Sequence, residues 1–181
     1  MKVTIAPYKN HFRHPWFRWM NKFRNFNDNR KTKIKFHNHD FYSLDHTLAL
    51  IILPALQKFK TCSGGAGNVD NEDVPKNLQT KNHYVNDKRG FTSTDKKWHP
   101  RWNYVLDEMI FAFDYIIDPD KYVTFPKSCS WDIKDKNYFN REKNLETKQA
   151  WDEYTKTCEQ LDVRKKQGLQ LFVDHMDMLW I

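Results

Sequence analysis

The most apolar stretch of the chain, SLDHTLALIILPALQKFK at residues 43–60, predicts a central buried helix with both ends marked. Ser43 stands where an N-cap belongs, and Asp45 falls in the first turn, where the helix dipole favours an anion. Lys58 and Lys60 close the last turn, where it favours cations. Leu48, Leu50, Ile51, Ile52, Leu53, Ala55, Leu56 and Phe59 cover nearly the whole circumference, so packing on several sides is expected. Pro54 removes an interior donor and is expected to kink the helix.

A second helical period runs through residues 98–117, where Trp102, Val105, Leu106, Met109, Ile110, Phe113, Ile116 and Ile117 recur at three and four. Pro100 suits its first turn. Asp107, Glu108 and Asp114 are its acids, and wherever these are covered each needs an Arg or Lys, a helix N-terminus or a ligand. From residue 143 to the end, Trp151, Tyr154, Cys158, Leu161, Lys165, Gly168, Phe172, His175 and Leu179 alternate at three and four. This predicts one long helix, or two meeting at Gly168, with a bend or a close backbone approach there. We read His175 as a histidine satisfied in helix packing, since no nucleophile stands at a readable spacing.

Short alternations at residues 2–8 and 33–36 predict two strands that pair as a small sheet, and 122–125 is a third candidate strand. The expected fold is therefore mainly α with a small β element, an α+β helical bundle around a central apolar helix. One domain over 1–181 is expected, with a basic, aromatic segment at 1–36 and a helical core at 37–181.

Composition alters this picture in two places. Hydrophobic residues make up only 39% but aromatic ones 15%, so the core is built from fewer and larger side chains. A net charge of +7 favours polyanion partners, although basic charge also serves solubility. That charge concentrates in residues 9–36, where nine Lys or Arg face the single acid Asp28. Phe12, Trp16, Trp19, Phe23 and Phe26 are interleaved at helical spacing. Arg13, Arg18, Lys22, Arg24 and Arg30 could pair with nucleic-acid phosphates while the rings stack bases. We favour the packing alternative, because bases need exposed rings and a stripe at core spacing is usually buried.

Three cysteines without CxxC spacing indicate neither a zinc site nor a disulfide framework, and point to a reducing cytoplasm. No secretory signal and no apolar run long enough for a membrane span is read. His37 and His39 with Asp40 supply too few convergent ligands for a metal. Residues 63–67, SGGAG, read as a flexible turn and lack the Gly-Lys-Ser/Thr ending of a P-loop. The polar loop at 76–97 is long for a compact domain, and such loops are often binding loops.

The stretches DFYSLDHTLALIILPALQKFK, VDNEDVP, WNYVLDEMIFAF and GLQLF together resemble an uncharacterised small-protein family of tailed bacteriophages, in order and spacing over residues 34–181. That family's Asp-x-Trp-Ser-x-Asp pattern is matched by Asp40, Tyr42, Ser43 and Asp45, with Tyr in place of Trp. The turn that follows reads His-Gly-Ser-Pro in the family, and residues 62–67 depart from it. The resemblance implies a phage-encoded protein in the host cytoplasm and no mechanism.

Three functions compete. The first is a non-catalytic, homo-oligomeric accessory protein that binds a small anionic molecule such as a nucleotide and sequesters a host immune signal. Its site would combine Ser43, Asp45, His46 and Thr47 at a helix N-terminus with Asp73, Arg101, Asp107 and Glu108, since helix N-termini present free amides to phosphate. Asp45 occupies the same positive end and argues partly against it. The second is a nucleic-acid-binding or virion-associated protein using the basic segment. The third is a helical Mg-dependent nucleotide hydrolase with Asp107 and Glu108 as ligands, the weakest, because one adjacent acid pair does not make a metal cage. No cofactor, structural metal or catalytic residue is assigned.

Overall fold

A computed structural model of the chain describes residues 2–5, 32–62, 64–86, 92–126 and 141–179. Strands β1 (Lys2–Ile5) and β2 (Thr32–Lys35) are followed by helix α1 (Leu44–Cys62), strands β3 (Tyr84–Asn86) and β4 (Thr92–Thr94), helix α2 (Trp98–Ile117) and helix α3 (Arg141–Asp174). The protein is mainly helical with a small β element, as the hydrophobic pattern predicts, and that element comprises two two-stranded antiparallel sheets. It separates into two compact units, residues 1–47 and 48–181, the division falling in the first turn of α1.

In the first unit β1 and β2 pair antiparallel, Lys2 opposite Lys35 and Ile5 opposite Thr32. A 3-10 turn, Asn38–Phe41, leads into α1. Its Asp40 carboxylate accepts the His37 amide at 2.8 Å, and that bond holds the Asp40 carboxyl below its ordinary pKa. The Ser43 carbonyl accepts the Thr47 amide at 3.0 Å, as an N-cap carbonyl does.

The second unit is organised around α2. Trp102, Val105, Leu106, Met109 and Phe113 are buried on it, with Ala49, Leu53 and Leu56 of α1, Leu171 of α3, and Val69 and Val74 of the connecting loop. Phe111 and Tyr115 bury the other side of α2 as well. The expectation that α1 packs on several sides is corrected. Leu44, Leu48 and Leu50 stay 45%, 42% and 45% exposed, and α2 is the enclosed helix. Pro54 lies inside α1, and both it and Leu50, four residues before it, are exposed.

Helix α3 runs through Gly168 without a break and ends at Asp174, so His175 and Leu179 lie beyond it, next to and after a 3-10 turn at Met176–Met178. The close approach expected at Gly168 is present: a Cβ there would stand 2.3 Å from the Glu108 carbonyl oxygen and 2.8 Å from the Ala112 Cβ. Phe113 and Phe172 meet edge-on beside this crossing, with centroids 5.1 Å apart.

Two other expectations are corrected. Residues 122–125 form no strand. A 3-10 turn at Pro119–Lys121 ends α2, and the Tyr122 hydroxyl turns back to donate to Asp114. Conversely β3 and β4 pair antiparallel as a second two-stranded sheet inside the polar loop, with Tyr84 opposite Thr94. Thr92, Ser93 and Thr94 are all exposed, so no apolar alternation marks that strand.

Gly168→Ala tests the crossing. The substitution gains about 1 kcal/mol in helix propensity, but the new methyl meets backbone that yields only if the helices part, which costs about 1–3 kcal/mol or more. Because the clash is with backbone the upper end of that range applies, and we expect a net loss of about 2 kcal/mol, a fall in Tm of roughly 4–8 °C for a chain of this size. Gly64→Ala, with nothing within 4 Å of its Cβ, serves as the control and leaves Tm in place. An unchanged Tm in Gly168→Ala would contradict the packing described.

Candidate functional site

The eight residues singled out for ligand binding fall into both units. In the first, Ser43 and Asp45 are exposed, His46 is half-buried, and Thr47 is buried with its hydroxyl donating to the Asp40 carbonyl at 2.9 Å. In the second, every one of the other four has a partner. Asp107 pairs with Lys60 of α1. Glu108 accepts Arg164 Nε and Nη2 of α3 at 2.7 and 2.8 Å, and the guanidinium lies 3.9 Å from the centre of the Phe111 ring. The neighbouring acids thus turn to different helices and do not converge. Asp114 is likewise taken, by Lys121 and Tyr122, and Lys121 holds its carboxyl below the ordinary value. Among the described residues no group of three or more His, Cys, Asp or Glu is placed to hold a metal ion.

Arg101, expected among the ligand-binding residues, is 0% exposed. Its two terminal nitrogens bind both oxygens of Asp95 at 3.1 and 2.7 Å, and its guanidinium lies 5.7 Å from the Trp98 ring centre. Bidentate pairing of this kind is the strong form of the interaction. It holds the Asp95 carboxyl below the ordinary carboxylate value.

Asp73 is held by His175, its Oδ2 standing 3.1 Å from Nε2. His175 is buried and packs edge-on against Trp102, a packing histidine as its place in the helical stripe suggests. The loop expected to be flexible is fixed in part. Trp98 Nε1 donates to the Ala66 carbonyl at 3.1 Å, and Gly67 lies so close to Met178 and Trp102 that a Cβ would stand 2.9 Å from each.

Beyond Gly67 the loop makes its own frame. The Asn71 amide pairs with both backbone groups of Thr80, donating at 2.7 Å and accepting at 3.0 Å. Gln79 Nε2 donates to the carbonyls of Asn71 and Val74 at 2.8 and 3.2 Å. Lys97 Nζ, just ahead of α2, donates to the carbonyls of Asn77 and Gln79 at 3.0 and 2.9 Å. Asn71, Gln79, Thr80 and Lys81 line a cavity of about 430 Å³. Lys81 has no partner among the described residues. Three residues on, Tyr84 stays 57% exposed, its ring 5.6 Å from that of Trp98. Residues 76–97 drew attention by their length alone; nothing in their order marked Lys81, Lys97 or Tyr84.

Arg13, Arg18, Lys22, Arg24 and Arg30 lie outside the described residues. No helix among the described residues is long and apolar enough to cross a membrane. Comparison with known proteins brought no match to a family model, a curated protein or a solved structure.

The Arg101–Asp95 pair has a calculable signature. Because the folded state lowers the Asp95 pKa, its stabilisation is present in full above the ordinary value of about 3.9 and fades as pH falls through the depressed value. Urea unfolding of wild type and Asp95→Asn should therefore differ by a constant amount near neutrality, and the difference should begin to narrow below about pH 4 and close only as pH falls through the depressed value. Arg101→Ala leaves the half-buried Asp95 carboxylate with only the Lys97 amide, at 3.3 Å, and should cost about 3 kcal/mol at pH 7. A gap that widens in acid would overturn this assignment.

Proposed function

We propose that the chain is a phage-encoded, non-catalytic binding protein for a small anionic ligand of the nucleotide class, sequestering a host signal in the host cytoplasm. The observation that carries this reading is the bonded frame of residues 71–81, in the loop between α1 and α2. Asn71, Gln79 and Lys97 bond to loop backbone around the depression, while Lys81 at its lining has no partner among the described residues. The site is an open depression of about 430 Å³ rather than an enclosed pocket, so a ligand held there keeps one side in solvent. In this reading the Lys81 ammonium meets phosphate and the open face of Tyr84 stacks the base. Asp107 and Glu108 serve α2 as ion-pair partners for Lys60 and Arg164, which favours binding over hydrolysis.

The same reading has the chain working as a homo-oligomer. Native mass spectrometry of the purified protein reports its stoichiometry together with any co-purifying ligand.

A panel of mono-, di- and cyclic nucleotides in a melting assay tests the ligand. One that binds only the folded state stabilises by about 2.7 kcal/mol at a hundredfold excess over Kd. Lys81→Ala should lose most of the shift while leaving the unliganded Tm unchanged, and Tyr84→Ala should reduce the preference for nucleotide over inorganic phosphate. The ligand should be recovered unmodified after long incubation. No shift with any nucleotide would overturn the proposal.

A further inference from the structure

Three buried side-chain nitrogens of the second unit have no hydrogen-bond partner among the described residues, Arg101 Nε, Trp102 Nε1 and His175 Nδ1, and the last two belong to rings that meet. Trp102 and His175 are 2% and 5% exposed. The two rings meet with centroids 5.9 Å apart and planes at 80°. Folded interiors close nearly all such groups, with protein or with ordered water.

The chemistry of the pair restricts what can satisfy it. An indole Nε1 only donates. His175 Nε2 faces the Asp73 carboxylate at 3.1 Å, and an ionised carboxylate only accepts, so Nε2 carries a proton. A ring with its single proton there presents Nδ1 as a bare acceptor. A cation would be repelled by the indole N–H and an anion by the Nδ1 lone pair. A small neutral molecule that accepts one hydrogen bond and donates another satisfies both. Neither Trp102 nor His175 lines the cavity of about 430 Å³, so that space does not serve them.

We propose that a single buried water bridges Trp102 Nε1–H to His175 Nδ1, fixing the tautomer in which His175 holds Asp73. The site couples three segments. Trp102 belongs to α2, His175 to the turn after α3, and Asp73 to the 3-10 turn at Asn71–Asp73. Asn71 of that same turn lines the cavity, so the water helps to position the loop as well as to satisfy two nitrogens. Its bearing on ligand binding rests on the functional reading above, but its existence does not.

The test uses the full chain without ligand. Proton–nitrogen correlation spectra of the imidazoles at neutral pH should give His175 as the Nε2–H tautomer with a hydrogen-bonded Nδ1. A high-resolution crystal structure should place one water within about 2.7–3.2 Å of both nitrogens. Trp102→Phe keeps an aromatic ring and removes the donor, and should move the Nδ1 resonance towards its unbonded position. Should that variant not fold, the wild-type spectrum and density still decide. An Nδ1–H tautomer, an imidazolium, an anion between the rings, or protein atoms closing both nitrogens would each overturn the proposal. Since no nucleotide enters these measurements, a failed melting assay and a failed hydration site are separate results.

Discussion

A Cβ at position 168 would stand 2.3 Å from the backbone oxygen of Glu108, and this steric limit fixes how α3 lies on α2. Only a residue without a side chain lets the two backbones approach so closely, and the approach sets the register of everything beside it. One turn before Gly168, Arg164 reaches Glu108 and covers the Phe111 ring. One turn after it, Leu171 joins the core and Phe172 packs on Phe113. The acids of α2 are then explained without a ligand. Each answers a cation brought to it by a neighbouring element, Lys60 for Asp107, Arg164 for Glu108 and Lys121 for Asp114.

That register carries through to the loop between α1 and α2. With α3 seated, His175 arrives at Asp73 and Met178 at Gly67, and the loop is held from the C-terminal side. From the other side Lys97 gathers two of its carbonyls and Trp98 a third, at Ala66. A long polar loop is costly to order in chain entropy. Here the cost is met by Val69 and Val74 in the core and by side chains bonded to backbone, which leaves few polar groups in the cavity free for another molecule.

Much of this was legible in the sequence wherever one period persisted. Helix α2 was readable at both ends, because three-and-four spacing runs unbroken from Trp102 to Ile117. The first strand pair was readable from its alternation, and Gly168 from its discord within an aromatic stripe. Pairing across distance was not readable. Lys60 finds Asp107 and Arg164 finds Glu108 at separations of 47 and 56 residues, and nothing local chooses those partners over others. For the same reason Arg101 was expected among the ligand-binding residues, although Asp95 lies only six positions before it. The burial of α1 was misjudged because an apolar circumference shows what a helix can cover, not how many neighbours reach it. The cavity had no motif to announce it, since its frame is made by Asn71 and Gln79 bonding to backbone.

If the crossing at Gly168 is the constraint on which the second unit depends, it should be among the last places to open. Native-state hydrogen exchange in increasing denaturant measures this directly. Amides of residues 109–113 in α2 and of 169–172 in α3 should exchange with the same free energy and the same denaturant dependence, that of global unfolding. Exchange of residues 169–172 through a separate, lower-energy opening while α2 stays protected would contradict the account.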